Sequence, residues 1–327
     1  YIYSNKKNLI YLIKNYIISS SYILFLLFFL RIKIIHIRSY IPGFILFPYL
    51  YLSSIKLIFD MRGFLPLEKI ERENWKQNEI KLRLLKNLEK YLIKRSSKIV
   101  TLTNESKQII NRNFKINYNK IEVIPTCVNV NRFKISNNKK ISDRINLCFL
   151  GSVNQAYDFD RIVEFSTNLI NFNKKYFINF FINDKKDYIK RKLSKNKIDE
   201  NRFNIEFIKA EIISQKLNSI DIGFFFLKKN NSIKAAFPTK IGEFLSKGIP
   251  IICNNFNEDI NNIMSKNDLG IMVLEKKIDY KKISKQIDKF AFNYILKKNC
   301  RNFAKNNLSI SYGASKYLKI YKNIENN

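Results

Sequence analysis

Short, nearly continuous apolar runs alternate along the chain with longer stretches whose apolar residues recur at helical spacing. KIIHIRS (Lys33 to Ser39), KLIFDMRG (Lys56 to Gly63) and KIVTLT (Lys98 to Thr103) predict buried parallel strands ending in polar residues. A strand covered on both faces has no wet side on which polar residues would alternate. Between the second and third runs, Lys76 to Ser96 repeats Leu84, Leu85, Leu88, Tyr91 and Leu92 at helical spacing, predicting a helix that gives this face to a core. Together they form a βαβ crossover. IEVIPTCVNVNRF (Ile121 to Phe133) reads as a strand and a turn at Pro125, and the polar SNNKKISDR that follows places a domain boundary near Ser136 to Arg144.

A second series follows: INLCFLGS (Ile145 to Ser152), YFINFFIN (Tyr176 to Asn183), FNIEFI (Phe203 to Ile208), DIGFFFL (Asp221 to Leu227), PIIC (Pro250 to Cys253) and GIMV (Gly270 to Val273), with helical patterns between them. A last helix is expected at about Ser309 to Asn323. The pattern predicts an α/β chain of two doubly wound, Rossmann-like domains in tandem.

The chain has 327 residues, 46% hydrophobic and 14% aromatic, enough to bury two cores, which excludes a disordered chain. Its net charge of +32 has two explanations. One is an anionic partner. The other is the Lys-, Asn-, Ile- and Phe-rich residue usage of an AT-rich genome, with attraction to anions and membranes as a secondary effect. Cys127, Cys148, Cys253 and Cys300 are far apart and read as small buried hydrophobes, and no metal site is indicated. The run YILFLLFFL (Tyr22 to Leu30) is about half the length a membrane span requires and predicts a buried or interfacial helix. The sequence opens on Tyr1 without an initiator Met, so residues are expected to be missing from its front.

Chemistry is written most densely in KAAFPTKIGEFLSKGIPII (Lys234 to Ile252). A helix starting near Pro238 sets Ile241, Phe244, Leu245 and Gly248 on the face toward a sheet and leaves Thr239, Lys240 and Glu243 on another. Gly248 suits the left-handed residue after the helix. In a doubly wound sheet, ligands sit beyond the carboxyl ends of strands, where helix N-termini offer free N–H groups. That geometry suits a diphosphate, with Lys234 and Lys240 supplying charge, Thr239 a hydroxyl, and Glu243 accepting from ribose hydroxyls. The plainer alternative is that Thr239 caps the helix and Glu243 complements its dipole. Gly151 and Ser152, ending the first strand of the second series, form a second loop on the same expected edge and favour the ligand.

These residues resemble the retaining glycosyltransferases of family four. The matching blocks are HIRSY (His36 to Tyr40), DMRGF (Asp60 to Phe64), LEKYL (Leu88 to Leu92), VIPTCVNVNRF (Val123 to Phe133), FLGSVNQAYD (Phe149 to Asp158), PTKIGEFLSKGIPII, and GASKYLKIY (Gly313 to Tyr321). The resemblance implies the GT-B fold, two Rossmann-like domains facing across a cleft: an acceptor domain at 1–140, a nucleotide-sugar domain at 141–308, and a terminal helix at 309–327 crossing back. It implies transfer from a nucleotide-sugar to a glycan or lipid-linked acceptor with retention of configuration. Donor residues are then Gly151, Ser152, Lys234, Pro238, Thr239, Lys240 and Glu243, the last corresponding to the second Glu of the family's E-x7-E motif. The first Glu falls at Ala235, and Ser152, Asn154 and Gln155 stand where many relatives carry an Arg and a Lys. The family's first strand and Gly-rich loop are expected to be missing.

Fixed cations and N–H dipoles should stabilise the leaving diphosphate. Asp60 as a base and Arg62 as an oxygen or phosphate ligand are the catalytic candidates, and Arg38 and Tyr40 the acceptor contacts. His36, between isoleucines, reads equally well as a structural residue. Neither a cofactor nor a metal is expected. The expected setting is the cytoplasm, at the inner membrane face, in cell-surface polysaccharide or glycolipid synthesis without a nucleic-acid partner. A non-catalytic basic protein that binds nucleic acid or membrane on a nucleotide-binding fold is the alternative.

Overall fold

The structure, a computed structural model, describes residues 9–135, 144–153, 156–182, 186–196, 198–274 and 278–326. It divides into two compact units.

The first unit comprises residues 1–101, 106–123 and 320–327. Its elements are α1 (Leu9–Phe29), β1 (Ile34–Arg38), α2 (Tyr40–Leu52), β2 (Lys56–Asp60), α3 (Leu65–Glu73), α4 (Ile80–Arg95), β3 (Lys98–Thr101), α5 (Asn104–Phe114) and β4 (Ile121–Val123), with α5 entering it at Ser106. The strands pair in parallel in the order β1-β2-β3-β4, all four where apolar runs predicted them. Among the described residues this sheet runs in one direction and shows no reversal of strand order.

Two helices differ in detail from expectation. In α4 the buried stripe is Leu82, Glu89, Leu92 and Ile93, while Leu84 is 63% exposed. The stripe differs because Glu89, one turn before Ile93 and two turns after Leu82, completes it with a carboxylate, which an apolar count skips. All of YILFLLFFL but Leu30 lies in the C-terminal part of the 21-residue α1, and Phe25, Phe28 and Phe29 on it are exposed, as are Ile41 and Phe44 on α2. Among the described residues no helix is long and apolar enough to cross a membrane. Trp75, the only tryptophan, follows α3 with the ammonium groups of Lys81 and Lys69 at 4.3 and 5.3 Å from its ring.

The second unit comprises residues 102–105 and 124–319. In order it holds β5 (Ile145–Gly151), α6 (Phe159–Phe172), β6 (Tyr176–Ile182), α7 (Lys186–Lys195), β7 (Phe203–Phe207), α8 (Ile213–Lys216), β8 (Ile222–Phe225), α9 (Thr239–Ser246), β9 (Ile251–Asn254), α10 (Glu258–Asn267), β10 (Gly270–Val273), α11 (Tyr280–Ala291), α12 (Tyr294–Asn307) and α13 (Ile310–Glu325). The six strands are parallel in the order β10-β9-β8-β5-β6-β7. From β5 the chain winds outward to β7 and then returns to lay β8 against β5, so the order reverses between those two strands. Phe149, Phe180, Phe224 and Phe225 on the strands and Phe165 and Phe244 on the helices are fully buried. Each contributes about 1.5–3 kcal/mol by leaving water.

The change of unit comes at 123/124, and the boundary expected near Ser136 to Arg144 lies, apart from Arg144, outside the described residues. The segment after β4 clusters with the second unit because its polar groups are bonded there. Val128 N–H donates to Leu308 O (2.8 Å), Ile310 N–H donates to Val128 O (3.1 Å), and Arg301 Nη1 donates to Phe133 O (2.6 Å). Residues 310–319 of α13 also cluster with the second unit, and 320–327 with the first.

Candidate functional site

In the second unit, the crevice beyond the reversal at β5 and β8 is where a doubly wound sheet binds ligands. Gly151 closes β5 with φ 137°, a conformation that side chains oppose. A Cβ built there would lie 2.6 Å from Lys240 Nζ. Lys240 reaches this point from the first turn of α9 and is only 5% exposed. Its Nζ has no hydrogen-bond partner among the described residues and lies 4.0 Å from the Tyr157 ring centroid, 4.7 Å from that of Phe149 and 5.5 Å from that of Phe225.

Burying one unpaired ion carries a penalty of several kcal/mol. A desolvated cation–π contact returns about 2 kcal/mol. The rings therefore hold the ammonium in place while leaving it short of hydrogen-bond acceptors.

Helix α9 begins one residue later than its sequence signals: Pro238 is the N-cap, with φ −59° and ψ 129°, and Thr239 is the first helical residue. Thr239 is exposed and does not cap the helix. The first N–H groups of a helix have no carbonyl to meet within it. One turn in, burial raises the pKa of Glu243, while the charges of Lys240 and Arg132 lower it. The helix ends as expected: Gly248 has φ 74°, its N–H donates to Leu245 O (3.0 Å), and Ile249 N–H donates to Phe244 O (2.9 Å).

Lys234 is not brought to this cluster. It sits in a short turn of 3-10 helix, Ser232–Ala235, with its ammonium 3.8 Å from Glu105 and its carbonyl accepting from Thr103 Oγ1 (2.8 Å). Ala235 is buried. Ser152 follows Gly151 half-buried, and Asn154 and Gln155 lie outside the described residues.

Several supporting residues escaped the sequence reading. Tyr157, Phe149 and Phe225 come together only through tertiary packing, and Arg132 was read only as part of the matching block Val123 to Phe133. Asn254, at the end of β9, accepts from Leu227 N–H (2.9 Å) and donates to Leu227 O (2.8 Å). Asn257 donates to Ala236 O (2.8 Å) and caps α10 through Ile260 N–H (2.9 Å). A polar side chain closing an apolar run was the available signal for Asn254, and an Asn three residues before an apolar helical position that for Asn257.

In the first unit, Arg38 and Asp60 are register partners at the carboxyl ends of β1 and β2. Ser39 N–H donates to Asp60 O (2.8 Å). Ser39 (φ 67°) and Arg62 (φ 60°) are both non-glycine residues in the left-handed region. Each such conformation costs about 1–3 kcal/mol, and such strain clusters at functional sites. The Arg62 turn is closed by Gly63 N–H donating to Met61 O (2.8 Å), and Arg62 Nη1 lies 3.9 Å from the buried Asp60 carboxylate. Arg38 is exposed.

Tyr40 is the exception among the expected contacts. It is 2% exposed beneath this turn, with its hydroxyl bonded to Gly63 O and Glu89, and so presents no surface to an acceptor. His36 Nδ1 lies 2.8 Å from Tyr321 Oη, and desolvation lowers its pKa. Among the described residues no group of three or more His, Cys, Asp or Glu is placed to hold a metal ion.

Residues 6–132 match the family model of Glycosyltransferase Family 4. No curated protein matches the chain. Among solved structures, a glycosyltransferase from Rickettsia africae ESF-5 is similar over 100% of this chain and 84% of its own, at a TM-score of 0.74 and 17% identity. A sucrose-phosphate synthase from Thermosynechococcus elongatus is similar over 89% of this chain and 73% of its own, at a TM-score of 0.68 and 12% identity. The lipopolysaccharide outer core galactosyltransferase WaaB, in its apo form, is similar over 98% of this chain and 83% of its own, at a TM-score of 0.66 and 11% identity. At such identities the likeness is one of fold, while the family match rests on the sequence of the first unit. Residues 6–132 are thus similar to Glycosyltransferase Family 4, and the chain has the GT-B fold that its motifs led us to expect.

Proposed function

We propose that this protein is a glycosyltransferase that takes its sugar from a nucleotide-sugar held by the second unit and transfers it, with retention of configuration, to a glycan or lipid-linked acceptor held by the first. The observation that carries the reading is Lys240: a buried ammonium without a hydrogen-bond partner among the described residues, set beside Gly151 at the strand reversal. A diphosphate there would receive bonds from Lys240, from the first N–H groups of α9 and from the backbone after Gly151, with Ser152 and Thr239 adding hydroxyls and Pro238 fixing the helix entry. Glu243 would accept from the ribose hydroxyls.

Charge that grows on the diphosphate as the glycosyl bond breaks is met by these fixed groups, so the reading requires no metal. Asp60, Arg62 and Arg38, at adjacent strand ends, are the groups of the first unit assigned to the acceptor and the transferred sugar.

We place the protein at the inner face of the cell membrane, in cell-surface glycan synthesis. The exposed Phe25, Phe28, Phe29, Ile41 and Phe44, together with Arg31 and Lys33, fit an anionic bilayer surface.

The test is a thermal-shift titration of the parent and Glu243→Ala with UDP, GDP, ADP, CMP and their sugar conjugates. Stabilisation of the parent alone by one nucleotide identifies the base and the site, because a ligand bound only to the folded state raises its stability. Equal stabilisation of both proteins removes Glu243 from the reading, and stabilisation of neither removes the donor site.

A further inference from the structure

Tyr40 Oη lies 3.0 Å from the Gly63 carbonyl oxygen and 2.5 Å from Oε1 of Glu89. Tyr40 and Glu89 are both buried. A phenol has one proton to give and two lone pairs to accept with. If Glu89 is ionised, the single proton faces two acceptors, and one of them is left without a donor in a dry place. One added proton resolves the conflict. A neutral Glu89 donates to Tyr40 Oη, and Tyr40 donates to Gly63 O.

We propose that Glu89 is a positioning residue, held as a neutral carboxylic acid, which fixes the strained Asp60–Phe64 turn through Tyr40. The turn carries Arg62 at φ 60° and the Asp60–Arg62 pair, so the chain of bonds anchors the groups assigned to transfer. The surroundings agree. Burial pushes the Glu89 carboxyl up to about 7, against the opposing pull of the Tyr40 hydrogen bond and of Lys86 on its own helix. Burial and then Glu89 push the Tyr40 phenol well up, so it remains a donor. From α3, Glu68 is a like charge acting on Tyr40 and is paired with Arg72 at 3.3 Å. From β2, Asp60 faces Arg62.

The sign of the pH dependence follows. The folded pKa lies above the unfolded one, so the contribution is complete below the unfolded value of 4.5 and is lost as pH rises through about 7. The inference depends on the proposed function only for the importance of the turn. Its test uses no substrate, so its failure leaves the donor-site reading standing.

The experiment compares the parent, Glu89→Gln and Tyr40→Phe by thermal unfolding and by amide hydrogen exchange at Gly63, Phe64 and Leu65, from about pH 5 to about pH 8.5. In the parent, the melting temperature should fall through this window. Exchange of the three amides, corrected for base catalysis, should quicken by about tenfold, the equivalent of one hydrogen bond. Glu89→Gln, which donates at every pH, should flatten both curves. Tyr40→Phe should give fast exchange throughout. Identical pH dependence in the parent and Glu89→Gln overturns the neutral acid, and parent-like protection in Tyr40→Phe overturns the relay. Should a variant fail to fold, carboxyl carbon NMR of the parent with the Glu89 resonance assigned decides: Glu89 titrating near 7 supports the inference, and Glu89 titrating below about pH 5.5 overturns it.

Discussion

The ammonium of Lys240 lies 4.0 Å from the centroid of the Tyr157 ring, and no acceptor within the described protein bonds it. A single buried ion carries a penalty of several kcal/mol, of which a desolvated cation–π contact returns about 2 kcal/mol, and an apolar group of similar length carries neither. Lys240→Met should therefore melt at or above the parent's temperature and lose stabilisation by nucleoside diphosphates. Thermal unfolding with and without the nucleotide checks both halves. A variant that melts lower, or is stabilised as the parent is, contradicts the assignment.

Gly151→Ala sets a methyl group 2.6 Å from Lys240 Nζ on a backbone at φ 137°. The lysine end can swing aside, but the backbone cannot relax as cheaply. We expect a loss of about 1–3 kcal/mol in urea unfolding, together with weakened nucleotide binding because the ammonium is displaced.

Gly248→Ala separates helix termination from ligand binding. At φ 74°, with the added carbon 3.0 Å from Lys297 O, it should cost about 1–2 kcal/mol of stability. The nucleotide affinity of the folded fraction should stay unchanged in calorimetric titration.

Glu243 is half-buried, and desolvation raises its pKa from the ordinary carboxylate value. Its ionised form accepts the ribose hydroxyls, so nucleotide affinity should fall on acidification, beginning at a higher pH than an exposed Glu would give. Glu243→Gln should remove this dependence and weaken binding by about tenfold or more. Calorimetry from about pH 5 to about pH 7.5 measures both.

The strands were legible because a parallel sheet covered on both faces demands unbroken apolar runs, and DIGFFFL or INLCFLGS admits little else. The α9 block was legible because Pro238 and Gly248 act through local backbone geometry. What stayed hidden depends on distant residues. The ring cage around Lys240 draws on β5, on Tyr157 beyond it and on β8, and no spacing rule links them. Lys234 reads as an available cation until Glu105 is found beside it. Tyr40 reads as a contact residue because it follows a strand end, yet the fold turns it inward onto Glu89. Glu89 itself was passed over because a carboxylate interrupts an apolar stripe on paper and completes it in the molecule.

Trp75 gives the chain an optical asymmetry. The sole indole lies in the first unit, near two ammonium groups, while the second unit contains tyrosine and phenylalanine only. Indole emission, excited at the red edge, thus follows the melting of one unit alone, and peptide circular dichroism follows both. Superposed curves from the two signals would mark a single cooperative transition, and separated curves would mark two units that unfold in turn.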